Sequence, residues 1–157
     1  MRELIASFDR QFSDLHSRSR ELIQATGDEL LYRRPSENES SMRAFSVGEF
    51  VVRSAAAVEQ MIGGITTRLW DDPFEWTLPE QMPTRGDVLN YLDEVENTRQ
   101  RGFAFLQNDE DLNKTLPAPV EIRTLGAVLE DTLAQAQVLL DRASEIFRGF
   151  PSRNSAK

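Results

Sequence analysis

Apolar residues recur at helical spacing along four long stretches, and none of the chain sustains the two-residue alternation of a half-buried strand. The first stretch runs from about Arg2 to Ala25. Leu4, Ile5, Phe8, Phe12, Leu15, Leu22 and Ile23 fall on one stripe at 100° per residue. Gly27 reads as its stop, Asp28 to Arg33 as one short helical turn ended by Pro35, and Ser36 to Ser41 as a polar loop. The second stretch has the best start signal, a capping box in which Ser46 is followed by Glu49. Its stripe is Val47, Phe50, Val51, Ser54, Val58, Met61, Ile65 and Leu69, with Ala55, Ala56 and Ala57 allowing close approach of a neighbour. A second capping box, Thr84 with Asp87, opens the third helix, expected to reach about Gln107 on Val88, Leu89, Leu92, Val95, Phe103 and Leu106. The fourth begins after Thr124 and ends near Phe150-Pro151, with Leu125, Leu129, Leu133, Ala136, Leu140, Ala143 and Phe147 on its stripe.

Four amphipathic helices of this length predict an all-α four-helix bundle, a single domain over residues 1–150 followed by a disordered tail, 151–157. The connection from Asp71 to Pro83 holds three prolines, which forbid a regular helix. It also carries Phe74, Trp76, Leu78 and Met82, too apolar for a solvated loop. It is expected to be partly ordered and to fold over one end of the bundle. With Trp70, its aromatics read as a plug in preference to a lid over a ligand groove.

Composition removes several chemistries. Among 157 residues there is no Cys and a single His. Thiolate metal sites, cysteine nucleophiles and sites needing two or three imidazoles are therefore excluded. The net charge is −8, carried as about −1 over residues 1–53 and −7 over residues 54–157. Neither part offers the basic stripe that phosphate neutralisation requires, so no nucleic-acid partner is expected. Nor does any window approach the roughly 18 uninterrupted apolar residues of a membrane span. With an N-terminus broken by charge every few residues, unlike a secretory signal, the expectation is a cytoplasmic protein with no membrane partner.

The remaining candidates are few. His16 lies off the first stripe and reads as a boundary histidine satisfied by Asp9, Glu3 or water. Glu96 and Arg99, three residues apart on the apolar face of the third helix, read as a core ion pair in preference to part of a carboxylate metal site. The acidic groups at 93–96 and 109–111 read as solvated faces. There is no nucleophile elbow and no glycine-rich phosphate loop.

The segment LLYRRP, then FSVGEFVV at Phe45 to Val52, together with TLGAVLEDTL at Thr124 to Leu133 and IFR at Ile146 to Arg148, resembles the DinB-like (DinB/YfiT-like) family of four-helix bundles. The resemblance spans about residues 2–148. It implies a homodimer and a divalent metal held by one His on helix 2 and a His-x-x-x-His pair on helix 4. Ungapped matching puts these positions at Arg53, Gln135 and Leu139. The family's H-E-x-x-H-R-G-Q run reads here as Gln135 to Arg142. An arginine is a permanent cation and a leucine has no donor. No metal and no cofactor are therefore expected, and no catalytic residue is assigned. Arg53 lies roughly 120° and Gln135 about 90° from their stripe centres at 100° per residue, with Leu139 closer in, which suits a site on bundle flanks facing a groove.

The resulting expectation is a metal-free, non-catalytic DinB-like bundle that binds a small ligand or protein partner in the groove of the lost metal site. Arg53 would hold an anionic group there, Gln135 and Arg142 would donate hydrogen bonds, and Leu139 would form an apolar floor. The alternative is a divalent-metal-dependent hydrolase or thiol S-transferase of the same family, which would need unconventional ligands such as His16 with Glu96 or Glu49. A third class is an interaction module with no pocket.

Overall fold

The computed structural model describes residues 1–35, 45–73 and 77–151. The SENESS loop, Phe74, Trp76 and the tail from residue 152 onward lie outside them. Four helices dominate: α1 (Glu3–Leu30), α2 (Val47–Thr67), α3 (Arg85–Phe103) and α4 (Leu125–Gly149). Three begin where the sequence says. Ser46 Oγ accepts from Glu49 N while a Glu49 carboxylate oxygen accepts from Ser46 N, both at 3.2 Å. Thr84 and Asp87 form the same reciprocal pair, and Thr124 Oγ1 accepts from Ala127 N at 3.1 Å.

The start of α1 is satisfied differently. Its cap residue, Arg2, contributes no side-chain bond. Asp109 reaches across from the far end of the chain instead, and its two carboxylate oxygens accept from Leu4 N at 3.0 Å and Ile5 N at 3.1 Å. These are two of the donors that every helix N-terminus leaves open, and their bonds hold the Asp109 carboxyl below its ordinary range. Asp109 and Asp111 are thus structural, while Glu110 between them is exposed, as expected of a solvated face. Asp109 fastens α1, and Asp111 accepts from Gln107 N and Asn108 N and pairs with Lys114. In the 93–96 segment Glu94 is exposed, but its acidic neighbours are engaged. Asp93 takes His16 and Arg20, and Glu96 is buried.

Gly27 stands at φ 75°, ψ 171°, a conformation that L side chains rarely adopt. It kinks α1 without ending it, so the short turn at Asp28 is the continuation of the same helix. α3 stops at Phe103, four residues before the expected end, leaving Phe105 on the surface while Phe103 and Leu106 stay buried. A short 3-10 turn (Asp109–Asn113) follows. A hairpin then pairs β1 (Thr115–Pro117) with β2 (Ile122–Thr124), antiparallel with Leu116 opposite Arg123. Three-residue strands are too short to declare a two-residue period.

Each helix turns its stripe inward. Ile5, Phe12, Leu15 and Ile23 of α1 meet Val88, Leu92, Val95 and Phe103 of α3, and Phe12 stacks edge-on against Phe103 at 5.8 Å. The most extensive seam joins α2 to α4. There Ala55 and Ala56 allow close approach, and the buried Ser54 hydroxyl donates to the Ala136 carbonyl at 2.8 Å. α2 also packs on α3, and α1 on α4, so helices adjacent in sequence are not always the closest neighbours. α2 is buried nearly all round. Leu4 and Leu69, placed on stripes by periodicity, are exposed at helix ends.

The α2–α3 connection does fold back. Met82 and Thr77 are buried, and the Tyr32 hydroxyl donates to the Met82 carbonyl at 2.6 Å. Trp70 lies against Gly64, where a Cβ would strike its ring, and its indole N–H donates to the Pro117 carbonyl at 3.0 Å. Among the described residues no helix is long and apolar enough to cross a membrane.

Candidate functional site

A cleft of about 270 Å³ opens along the flank of the α2–α4 seam. Arg53, Ala56, Ala57 and Gln60 line it from α2, Gln135 and Leu139 from α4, and Asp72 from the connection after α2. Helical periodicity explains the grouping. Residues three, four and seven apart share one face, which collects Arg53 with Ala56, Ala57 and Gln60, and likewise Gln135 with Leu139. The two alanines supply the space, since their methyl groups leave a trough between larger neighbours.

The three positions matched through the family resemblance therefore line one cleft. Arg142 does not line it. It follows Gln135 by seven residues on nearly the same face, about 10 Å farther along the axis at 1.5 Å per residue, and its side chain is exposed. Ser54, one residue from Arg53, is buried in the seam and bonded to Ala136. Gln60 and Asp72 are the lining residues that sequence reasoning missed. Gln60 sits two turns beyond Arg53 on the same face and was within reach of that argument. Asp72 belongs to an irregular segment whose path no periodicity describes.

Arg53 is the electrostatic centre of the cleft. Its guanidinium carbon lies 4.0 Å from the centroid of the Phe45 ring, which in turn meets Phe50 edge-on at 5.4 Å. Burial lowers its pKa, and the nearby carboxylates of Glu49 and Asp72 oppose that shift. A guanidinium remains protonated throughout, so the consequence is a half-buried cation with reduced hydration, held over an aromatic face. Glu49 is committed elsewhere. It caps α2 through Ser46 and takes Arg34 Nη2 at 3.2 Å. Asp72 brings a carboxylate to the same wall, and Gln60 donates to the Trp70 carbonyl at 3.1 Å.

This donor set does not fit a divalent metal. At the three positions where the resemblance would call for imidazoles stand a cation, an amide and a leucine. Among the described residues no three His, Cys, Asp or Glu side chains cluster closely enough to hold an ion. The unconventional ligands are also engaged. His16 Nε2 lies 3.0 Å from Asp93 on α3, a partner the sequence did not suggest. Both oxygens of Glu96 accept from Arg99, from Nε at 2.6 Å and from Nη2 at 2.9 Å, while Arg99 Nη1 also donates to Asp9 at 2.8 Å. Arg99 is 1% exposed and Glu96 7%, so the expected core ion pair is present. Burial pulls the Arg99 pKa down, but the bonds to Glu96 and Asp9 outweigh it and the net shift is upward.

What the cleft offers chemically is recognition: one fixed positive charge, a carboxylate, amides that both donate and accept, and an apolar wall at Leu139. Comparison of this chain with protein-family models, with curated proteins and with solved structures found no match in any of the three.

Proposed function

We propose that this protein is a non-catalytic, metal-free bundle of the DinB-like kind that binds a small polar ligand in the cleft between α2 and α4. The supporting observation is that Arg53, Gln135 and Leu139, distant in sequence, line one cleft together with Gln60 and Asp72. Arg53 pairs with an anionic group, carboxylate or phosphate, in the bidentate manner that guanidinium favours. Gln135 hydrogen-bonds a neighbouring polar atom, Leu139 packs on the ligand's apolar part, and Asp72 accepts from an ammonium or hydroxyl. A ligand carrying both an anion and a donor, as an amino acid does, uses all four.

The test is calorimetric titration of the wild type with inorganic phosphate and with the free amino acids, repeated on Arg53→Ala and Gln135→Ala. Saturable binding that Arg53→Ala abolishes and Gln135→Ala weakens supports the proposal. Binding indifferent to Arg53 would sink it. So would stoichiometric Zn or Ni that survives dialysis of the purified protein and disappears in His16→Ala, which would favour the hydrolase or S-transferase reading.

A further inference from the structure

A second cleft, larger and chemically different, lies at the end of the bundle where α2 and α3 terminate against β1 and the start of α4. Its volume is about 340 Å³, within the range of pockets that hold small organic ligands, ~300–1,000 Å³. Its walls are largely apolar. Ile65, Leu106, Leu116 and Leu125 line it, together with Phe105, which is 78% exposed. The polar contribution that carries formal charge is positive: Arg68 from the end of α2 and Lys114 from the segment before β1. On a chain of net charge −8, two cations at an apolar cleft are a local reversal of sign.

The backbone adds an independent observation. Arg68 is the one non-glycine residue with positive φ among the described residues, φ 63°, and it occupies the left-handed position that closes α2, its N–H bonded to the Gly64 carbonyl. Glycine is the usual occupant there because it has no Cβ to crowd the carbonyl. An arginine at this position carries backbone strain that the turn itself does not need. A cation near a helix C-terminus is favourable, but a lysine or arginine inside the last turn would supply that without strain. Arg68 makes no side-chain hydrogen bond or ion pair with the described residues, whereas Lys114 pairs with Asp111 at 2.8 Å. The cleft therefore has one cation available to an incoming anion and a second whose remaining donors are still usable.

We propose that this cleft binds a monomeric amphipathic anion, a carboxylate on an apolar chain. The acyl portion lies on Ile65, Leu116 and Leu125, and the carboxylate sits between Arg68 and Lys114. The charge of the rim selects this occupant over a neutral or cationic molecule of equal length. The site is separate from the Arg53 cleft and stands or falls independently of it.

The experiment titrates the full-length protein with decanoate below its micelle concentration, with decanol and decyltrimethylammonium as comparators, following calorimetry and the methyl NMR signals of Ile65, Leu116 and Leu125. Decanoate should bind saturably and shift those three residues, at least about fivefold more tightly than decanol, with the ammonium weakest. Arg68→Gly is the informative variant. It relieves the left-handed strain and so keeps or raises Tm, yet should weaken decanoate about fivefold and leave decanol unchanged, while in Arg53→Ala the decanoate-induced shifts of Ile65, Leu116 and Leu125 should follow the same titration curve as in the wild type. The proposal is overturned if decanoate binding is absent, or if decanol binds equally well. It is equally overturned if Arg68→Gly leaves decanoate affinity intact, or if anionic phospholipid vesicles bind where monomeric decanoate does not.

Discussion

Replacing Glu96 with Ala should cost this protein about 3–5 kcal/mol, whereas replacing Glu96 and Arg99 together with Leu and Met should cost less than either single change. Arg99 is 1% exposed, yet its guanidinium is satisfied by both oxygens of Glu96 and by Asp9, and it lies over Phe103 at 4.8 Å and Phe12 at 5.8 Å. Removing Glu96 leaves a buried cation with one half-exposed partner, and breaking a buried pair from one side costs about 3–5 kcal/mol. The surroundings do not relax easily. The residual space bounded by Phe12, Glu96, Arg99, Ser19 and Ser54 is only about 20 Å³, and the lost side chain adds to it. For a chain of this size each kcal/mol moves Tm by about 2–4 °C, so Glu96→Ala should lower it by about 10 °C. The double replacement removes the charge along with its partner. Such exchanges are neutral or stabilising by about 1–4 kcal/mol when the volume is filled, and Asp9, at the surface, is rehydrated without penalty. Urea unfolding of wild type, both single variants and the double variant, followed by circular dichroism, closes the cycle. A double variant as destabilised as the sum of the singles would refute the reasoning, as would a single cost below about 1 kcal/mol.

Asp109→Ala should fray the start of α1 and leave the rest intact, read as faster hydrogen exchange at the Leu4 and Ile5 amides whose acceptors it removes; unchanged protection would refute the cap. Gly48→Ala should destabilise by about 1–3 kcal/mol in thermal unfolding, because a Cβ there meets the Leu31 carbonyl at 2.8 Å and Tyr32 at 2.7 Å. On the alkaline side, both tyrosines are held protonated above their ordinary range, Tyr91 by burial and its bond to Glu59, Tyr32 by burial and the charge of Glu49. A raised native pKa means stability is fully present below the unfolded value of ~10 and is lost as pH climbs beyond it. Absorbance at 295 nm should therefore show no phenolate step near pH 10 in the folded protein, only one coincident with unfolding. On the acid side the sign reverses for Asp111, whose carboxyl is lowered to about 2 by Lys114 and the amides of Gln107 and Asn108. Its contribution holds above the unfolded value of ~3.9 and disappears as pH falls toward 2; a chemical shift titration of its side chain checks this.

The helices were legible because their signals are local. Ser46 with Glu49 and Thr84 with Asp87 place two starts to the residue, since a capping box needs only four consecutive positions. The α3 end was misplaced for a related reason. Phe103 and Leu106 continue the apolar rhythm into the segment after Phe103, and periodicity alone cannot show that the chain has already left the helix. Asp109 and Asp93 were misjudged because their partners are distant. Asp109 serves amides about 105 residues away, and Asp93 binds His16 and Arg20 across the α1–α3 seam. Polarity in a linear sequence looks like solvation until the fold supplies a donor.

The Arg53 cleft lies between these extremes. A face argument on each helix separately puts Arg53 and Gln135 on flanks, which says only that they can border a groove. Whether the two grooves coincide depends on the axial register of α2 against α4, and nothing within either helix fixes it. The Ser54 hydroxyl does so in the structure. By donating to the Ala136 carbonyl it pins one level of the seam, and that level carries Arg53 and Gln135, each one residue earlier in its own helix, on the open side of the contact. Asp72 then arrives on a connection shaped by Gln60 holding the Trp70 carbonyl. The charge that faces Arg53 is thus set by a side chain within the cleft itself. If the cleft binds the proposed ligand, Gln60→Ala should change the ranking of anions in the calorimetric titration without touching either charge, and an unchanged ranking would refute this link.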